Sequence, residues 1–478
     1  MIKPIENNFA AYVTFRDKPF FVTVNENLCK FFPREGPEQK IAYCSVNIKV
    51  DNGDLCEQPG DMSAFVAPSI TDTPGFIRTR SEDLNVFSGK IEKQFVHGFD
   101  ENANDIAFII ESLGWDFLPW SCYAAFRTPV IIKGQLKDLE TFDAITFSGS
   151  VIDSMYPPGR HAINMKNDRM FPIDGARTIE IRPFDDYTKK SSFEIFSEKC
   201  TLLYSVAQGG YNLESGELGK LFSIMRLEFD AKQEITTIER YYVLISKFVA
   251  FCVAQHNIEF DSITLSRKND SGDYVKIGIC KFFYKYEHIK LEAGTILSFR
   301  VFGENIIDAL KLFADEKNAP QLAFLPGSNF ERNRVSSENI KNLCTAFEFE
   351  YSRIFLPPKG VRVSAADKIC AIRDKVIEIL NSVPDSYVPD YYILPREHLS
   401  TDSFIFKYIN IQDEYIRNFV KIRNDITHGN FITELGNTGM SYCRLCMVIY
   451  LCILSRVGLS GEQLLTSLVT IYWRWRYI

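Results

Sequence analysis

Arg423, Asn424 and His428 share one short stretch, Arg-Asn-Asp-Ile-Thr-His, closed by Gly429. These residue types move protons and hold anions. An imidazole titrates near ~6.5, so it can take and give a proton around neutrality. A guanidinium is always charged and presents a bidentate fork to phosphate or carboxylate. An asparagine one helical turn before a histidine can orient its ring. Residues 412–430 read as an amphipathic helix with Gly429 as its C-terminal stop. Ile411, Tyr415, Phe419, Ile422 and Ile426 fall in one sector and should face a core. Arg417, Lys421, Asn424 and His428 collect on the opposite sector, a cationic, hydrogen-bonding stripe ending in an imidazole. The helix C-terminus favours the protonated ring. Arg423 and His428 point roughly 140° apart on an ideal helix. To meet at one anion, either the last turn unwinds at Gly429 or two copies of the helix pool their residues across a two-fold axis. The bland alternative is a C-terminal histidine that only complements the helix dipole, beside an arginine paired with Asp425 or Glu414.

The elements around this stretch are helical. Residues 342–355 form a first helix, stopped by Pro357-Pro358-Lys359-Gly360. Residues 365–380 form a second, with Ile369, Ile372, Val376 and Ile379 on its apolar face. A proline-studded connection leads to the motif helix, which begins near Asp402. Residues 440–456 are apolar almost all round and should be buried. A last helix from Ser460 ends in Tyr472-Trp473-Arg474-Trp475-Arg476.

The Arg423–His428 stretch, with its arginine, following asparagine and four-residue spacing to the histidine, resembles the signature of HEPN-domain ribonucleases. NLCTAFEFEYSRIF (342–355) is similar to the first helix of that domain, and the apolar helix from about Ser441 fits its last part. The resemblance implies an all-α bundle that dimerises around a shared cleft and cuts RNA without metal or other cofactor. In that chemistry an RNA 2′-hydroxyl attacks its neighbouring phosphate while a base takes its proton and an acid protonates the leaving 5′-oxygen. His428 would carry the proton, Arg423 would offset charge on the phosphate and Asn424 would orient the ring or bind RNA. Arg417 and Lys421 would contact the RNA backbone. Glu348, or Glu350 beside it, could tune His428, although a solvated helix face explains both. The Trp-Arg-Trp-Arg ending suits a helix end with its tryptophans packed inward better than a base-stacking surface.

The rest of the chain is β-rich. Residues 1–150 read as short strands broken by turn signals, apart from Asn102–Gly114, whose spacing predicts a helix. Residues 151–315 continue with strands around a long helix, about Ile235–Gln255, and form either a second domain or part of one composite with 1–150. The segment 316–337 reads as a linker and 338–478 as the helical bundle, giving an α+β chain. The helix ITTIERYYVLISKFVAFCVAQ leading into NIEFDSITL is similar to the N-terminal region of ApeA-type antiphage proteins. That likeness implies a module restraining the nuclease until a phage-derived trigger arrives, in an abortive-infection role.

Composition narrows the classes. A hydrophobic share of 46% with 24% charged residues is ordinary for a soluble globular protein. The net charge of −7 gives no global positive field, so an RNA site must be a local patch. The 12 cysteines are scattered, mostly in apolar runs, which fits buried thiols in a reducing compartment. Cys443 and Cys446 have CxxC spacing, but no second pair completes a zinc site. The first residues lack a basic and an apolar region, so no signal peptide is expected, and no apolar run is long enough to span a membrane. A cytoplasmic protein is the expectation. Gly209-Gly210 reads as a turn, not a phosphate cradle, and the loop with Arg160, His161, Lys166 and Arg169 as solvated. His97, His256 and His288 have no acidic or cysteine partner at ligand spacing. Besides the nuclease, two readings remain: a non-catalytic dimerisation or interaction module, and an antitoxin-like partner of a nucleotide-transferring toxin.

Overall fold

The computed structural model describes residues 5–33, 41–43, 64–66, 76–79, 86–87, 93–110, 115–116, 124–134, 140–158, 162–165, 179–182, 188–208, 221–256, 258–283, 296–326, 336–356, 363–383, 421, 424–425 and 438–475. The architecture is α+β, with extensive antiparallel sheet and a predominantly helical C-terminal region. The chain divides into two discontinuous compact units. The first gathers residues 1–145, 232–239 and 262–284, and the second 146–231, 240–261 and 285–478.

In the first unit the strands follow one another in the order Ser262–Lys268, Tyr274–Phe282, Val130–Gly134, Asp105–Ile110, Gln94–Asp100, Asn8–Phe15, Lys18–Asn25, Leu28–Pro33, Ala124–Arg127 and Trp115–Asp116. Each neighbouring pair is antiparallel. Alternation places Ala11, Val13 and Phe15 in the core while Tyr12 and Thr14 stay on the other face. Phe15, Phe20 and Phe31 close on Phe87, with ring centroids 4.8, 5.1 and 5.4 Å from it. The hairpin between the first two of these strands turns on Arg16 and Asp17, both at positive φ (47° and 64°). A two-residue turn of that hand matches the strand twist.

Gly98 marks a close approach of strands. It sits opposite Val13, and a Cβ there would run into the Tyr12 carbonyl oxygen and come within 2.6 Å of Val13 Cγ1. Backbone cannot give way as a flexible side chain can. Gly98→Ala should therefore cost about 1–3 kcal/mol, read as a shift in the denaturation midpoint; a wild-type midpoint would contradict the close approach.

A buried ion pair ties the same sheet together, with Lys133 Nζ 2.7 Å from Asp100 Oδ2. Burial pushes the Asp100 carboxyl up, but hydrogen bonds from Lys133 and Asn104 outweigh it and hold it below its ordinary 3.8. A carboxyl lowered in the folded state stabilises above its unfolded value and loses that contribution as pH falls through its folded value. Acid unfolding followed below pH ~4 should show this loss, and Asp100→Asn should flatten the dependence in that window. An unchanged acid profile in the variant would refute it.

Two expectations are corrected. The Asn102–Gly114 stretch holds a strand, Asp105–Ile110, in which all six residues are buried. A short continuous apolar run is equally compatible with either element, and here cover on both faces favours the strand. The segment DAITFSGSVI (143–152), whose β-branched and aromatic residues read as one strand, is strand only as far as Ser148, and a short helix, Ser150–Met155, begins beyond Gly149. Gly149 has φ 145°, and a Cβ there would lie 2.6 Å from Asp261 N, so the break needs glycine.

In the second unit, Thr188–Ile195, Glu198–Gln208 and Leu221–Glu234 form an antiparallel series, Leu221–Glu234 continuing into the first unit at its end. The expected long helix is present as Ile238–Val253, preceded by a single 3₁₀ turn, Ile235–Thr237. Its C-terminal half packs inside the helical region. Phe251 stacks on Tyr450 at 4.5 Å, and the Tyr450 hydroxyl donates to the Phe251 carbonyl at 2.7 Å. Among the described residues no helix is long and apolar enough to cross a membrane. Cys29, Cys252, Cys280 and Cys452 are buried free thiols whose pKa burial pushes up.

Candidate functional site

The helices flanking the motif form where their sequence patterns place them. Ser337–Phe355 starts with a capping box, the Ser336 hydroxyl accepting from Asn339 N while the Asn339 side chain accepts from Ser336 N. It buries Ile340, Leu343, Ala346, Phe347, Glu350 and Tyr351. Ala365–Asn381 buries Ile369, Ile372 and Val376. Thr438–Val457 packs against both, and residues 445–454 are buried without interruption, as an all-round apolar helix must be. Gly461–Trp475 packs on Thr438–Val457 and Ala365–Asn381. Gly461 lies under the end of Ala365–Asn381, where a Cβ would meet the Ile379 carbonyl oxygen at 2.8 Å.

Within the motif stretch, Lys421, Asn424 and Asp425 are helical. Lys421 and Asn424 are exposed and three residues apart, which puts them on one face, while Asp425 is half-buried. Arg417, Arg423 and His428 lie outside the described residues, as do Arg160, His161, Lys166, Arg169, Gly209, Gly210 and His288. The Trp473 and Trp475 side chains, and that of Cys443, are also outside them. Cys446 is buried, and among the described residues no cluster of three histidine, cysteine or acidic groups could hold a metal.

The two glutamates of the first flanking helix have separate surroundings. Glu348 is about half exposed and pairs with Lys368 on Ala365–Asn381. Glu350 is fully buried and receives Arg456 Nη1 at 2.5 Å. Arg456 Nη2 donates to the Asn318 carbonyl. Arg353 Nη2 donates to the Lys317 carbonyl at 3.1 Å. The connecting segment is thus held by arginines from two helices, and it buries Leu322, Phe324 and Leu325. Burial lifts the Glu350 carboxyl above its ordinary value, and Arg456 draws it back only in part.

Sequence spacing did not reveal two polar partnerships. Arg456 and Glu350 are 106 residues apart, and nothing local links them. His97 has no acidic partner at ligand spacing in the sequence, yet Asp105 Oδ1 lies 3.5 Å from its Nε2 across adjacent strands. A strand at Asp105–Ile110 would have been the signal, since register then brings the two together. His256 is half-buried, and its backbone N–H donates to the Pro326 carbonyl at 2.9 Å. Compared with protein-family models, curated proteins and solved structures, the chain matches none.

Proposed function

We propose that the chain is a metal-independent endoribonuclease that cuts RNA through Arg423, Asn424 and His428. The observation carrying this reading is the Arg-Asn-x-x-x-His sequence at the end of a stretch with amphipathic helical periodicity. The exposed, same-face placement of Lys421 and Asn424 supports it, because a substrate stripe must be solvent-facing. The packed helices Ser337–Phe355 and Thr438–Val457 support it as a rigid frame of the HEPN kind.

In this reading His428 takes the 2′-hydroxyl proton and a protonated His428 returns one to the leaving 5′-oxygen. One bond to phosphorus forms as the other breaks, leaving a cyclic phosphate and a free 5′-hydroxyl. Arg423 offsets the charge growing on the non-bridging oxygens. Asn424 orients the imidazole, and Arg417 and Lys421 hold neighbouring phosphates. Glu348, engaged with Lys368, serves the frame in this account and not the proton path. Arg423 and His428 come from two copies of the chain, so the active species is a homodimer through the helical region. Residues 1–315 act as the restraint, released by a phage-derived trigger in an abortive-infection response in the cytoplasm. The test is RNA cleavage in EDTA by wild type and His428→Ala. Intact RNA with both, under every activating condition, would favour a dimerisation module instead.

A further inference from the structure

The first unit carries a ring-lined depression on the sheet face opposite its core. Tyr12, Phe21 and Phe99 occupy directly opposed register positions on three adjacent strands, so their rings run in a row across the strands. Phe32 continues the row opposite Phe21. With strands about 4.8 Å apart, four such positions span about 14 Å. Tyr12 and Phe21 rings are 5.3 Å apart. A second row runs along Gln94–Asp100, where His97 lies 6.3 Å from Phe95 and 5.5 Å from Phe99. Tyr12 is 55% exposed and Phe99 44%, unusual for large apolar groups in a sheet. Beside them is a depression of about 530 Å³, whose lining takes Tyr12 and Phe99 from the first row and Phe95 and His97 from the second, together with Phe20 and Glu140.

Its polar groups define the ligand. His97 Nε2 is buried without a hydrogen-bond partner; Asp105 lies within ion-pair reach of it but makes no hydrogen bond. Glu140 contributes a carboxylate, and the described lining includes no lysine or arginine. A phosphate chain would meet the Glu140 carboxylate with no cation in that lining to offset it, so nucleic acid fits poorly. A hydroxyl-rich neutral ring fits on both counts: its apolar face covers an aromatic ring, and its hydroxyls donate to carboxylate or imidazole. From the ring rows and their acceptors, we infer that this face of the first unit binds a neutral oligosaccharide, its sugar rings laid along the Phe99–Tyr12–Phe21 row. The inference stands on the first unit alone and does not depend on the nuclease reading.

The full chain should be titrated calorimetrically with cellohexaose, maltohexaose and chitohexaose, with a uridine hexanucleotide as comparison. At least one hexasaccharide should bind. Tyr12→Ala and Phe99→Ala should each weaken it about tenfold, as loss of a stacked ring does, while Tyr12→Phe retains it. Hexanucleotide binding should be unchanged by either alanine variant. If Phe99→Ala misfolds, Phe99→Leu keeps the apolar bulk and removes only the ring. No binding of the three sugars, binding unaffected by both ring losses, or hexanucleotide binding that Tyr12→Ala abolishes would each overturn the assignment.

Discussion

His428→Ala should reduce RNA cleavage in EDTA by about 10²–10⁴-fold while leaving the melting temperature and oligomer size of the chain unchanged. The magnitude is what a positioned acid–base group contributes, and the unchanged fold is expected because the helical period of the sequence sets His428 opposite the apolar positions Tyr415, Phe419, Ile422 and Ile426. Arg423→Ala should cause a comparable loss through a different route, because charge on the phosphate oxygens is then uncompensated. Lys421→Ala should act mainly on substrate binding and should flatten the salt dependence. Mixing the inactive Arg423→Ala and His428→Ala chains distinguishes the two geometries that the five-residue spacing allows. Recovered activity means that the guanidinium and imidazole come from different copies, since one mixed interface regains an intact pair. No recovery, with mixed dimers shown to form, places both groups in one copy. Cleavage by His428→Ala at the wild-type rate would remove the proton carrier from the mechanism and the nuclease reading with it.

What could be read in advance follows from how local the determining interactions are. The C-terminal helices were legible because a 3.6-residue apolar period and a stop signal are properties of one segment. Ile369, Ile372 and Val376 face the core as their spacing requires. The hairpins were legible for the same reason, alternation in Asn8–Phe15 being visible without knowing its neighbours. Asp105–Ile110 was not, because its burial on both faces depends on what covers the sheet from elsewhere in the chain. Leu221–Glu234 also escaped notice. It carries Arg226, Glu228 and Asp230 through its middle, which argues against a strand until Arg226 is seen donating to the Thr146 hydroxyl at 3.0 Å. In the candidate site, the stripe of Lys421 and Asn424 was legible as helical periodicity. The arginine grip on the connecting segment was not, since backbone carbonyls such as those of Lys317 and Asn318 leave no mark in a sequence.

That grip makes Glu350 and Arg456 the pair whose disruption should cost the helical region most. Glu350 is wholly buried and Arg456 nearly so, at 0% and 10% side-chain exposure. Removing one member of a buried pair strands the other, at about 3–5 kcal/mol. The two single losses should differ in their dependence on pH. Glu350→Met leaves a guanidinium that cannot shed its proton, so the penalty should persist across the whole accessible range. Arg456→Met leaves a carboxyl already raised by burial and now without its cation, and it can escape by protonating. A carboxyl raised in the folded state favours folding below its unfolded value of 4.5 and loses that advantage as pH climbs through its folded value. Arg456→Met should therefore be nearly as stable as wild type in mild acid and fall away towards neutrality. The double variant, Glu350→Met with Arg456→Met, should recover most of the loss at every pH, because methionine fills the space without a charge. It should not recover the hold on Asn318, so hydrogen exchange in the 315–318 segment should stay faster than in wild type. Denaturant midpoints at several pH values decide the matter. Equal, pH-independent losses in both single variants would show that the pair is solvated and that the segment is held by something else.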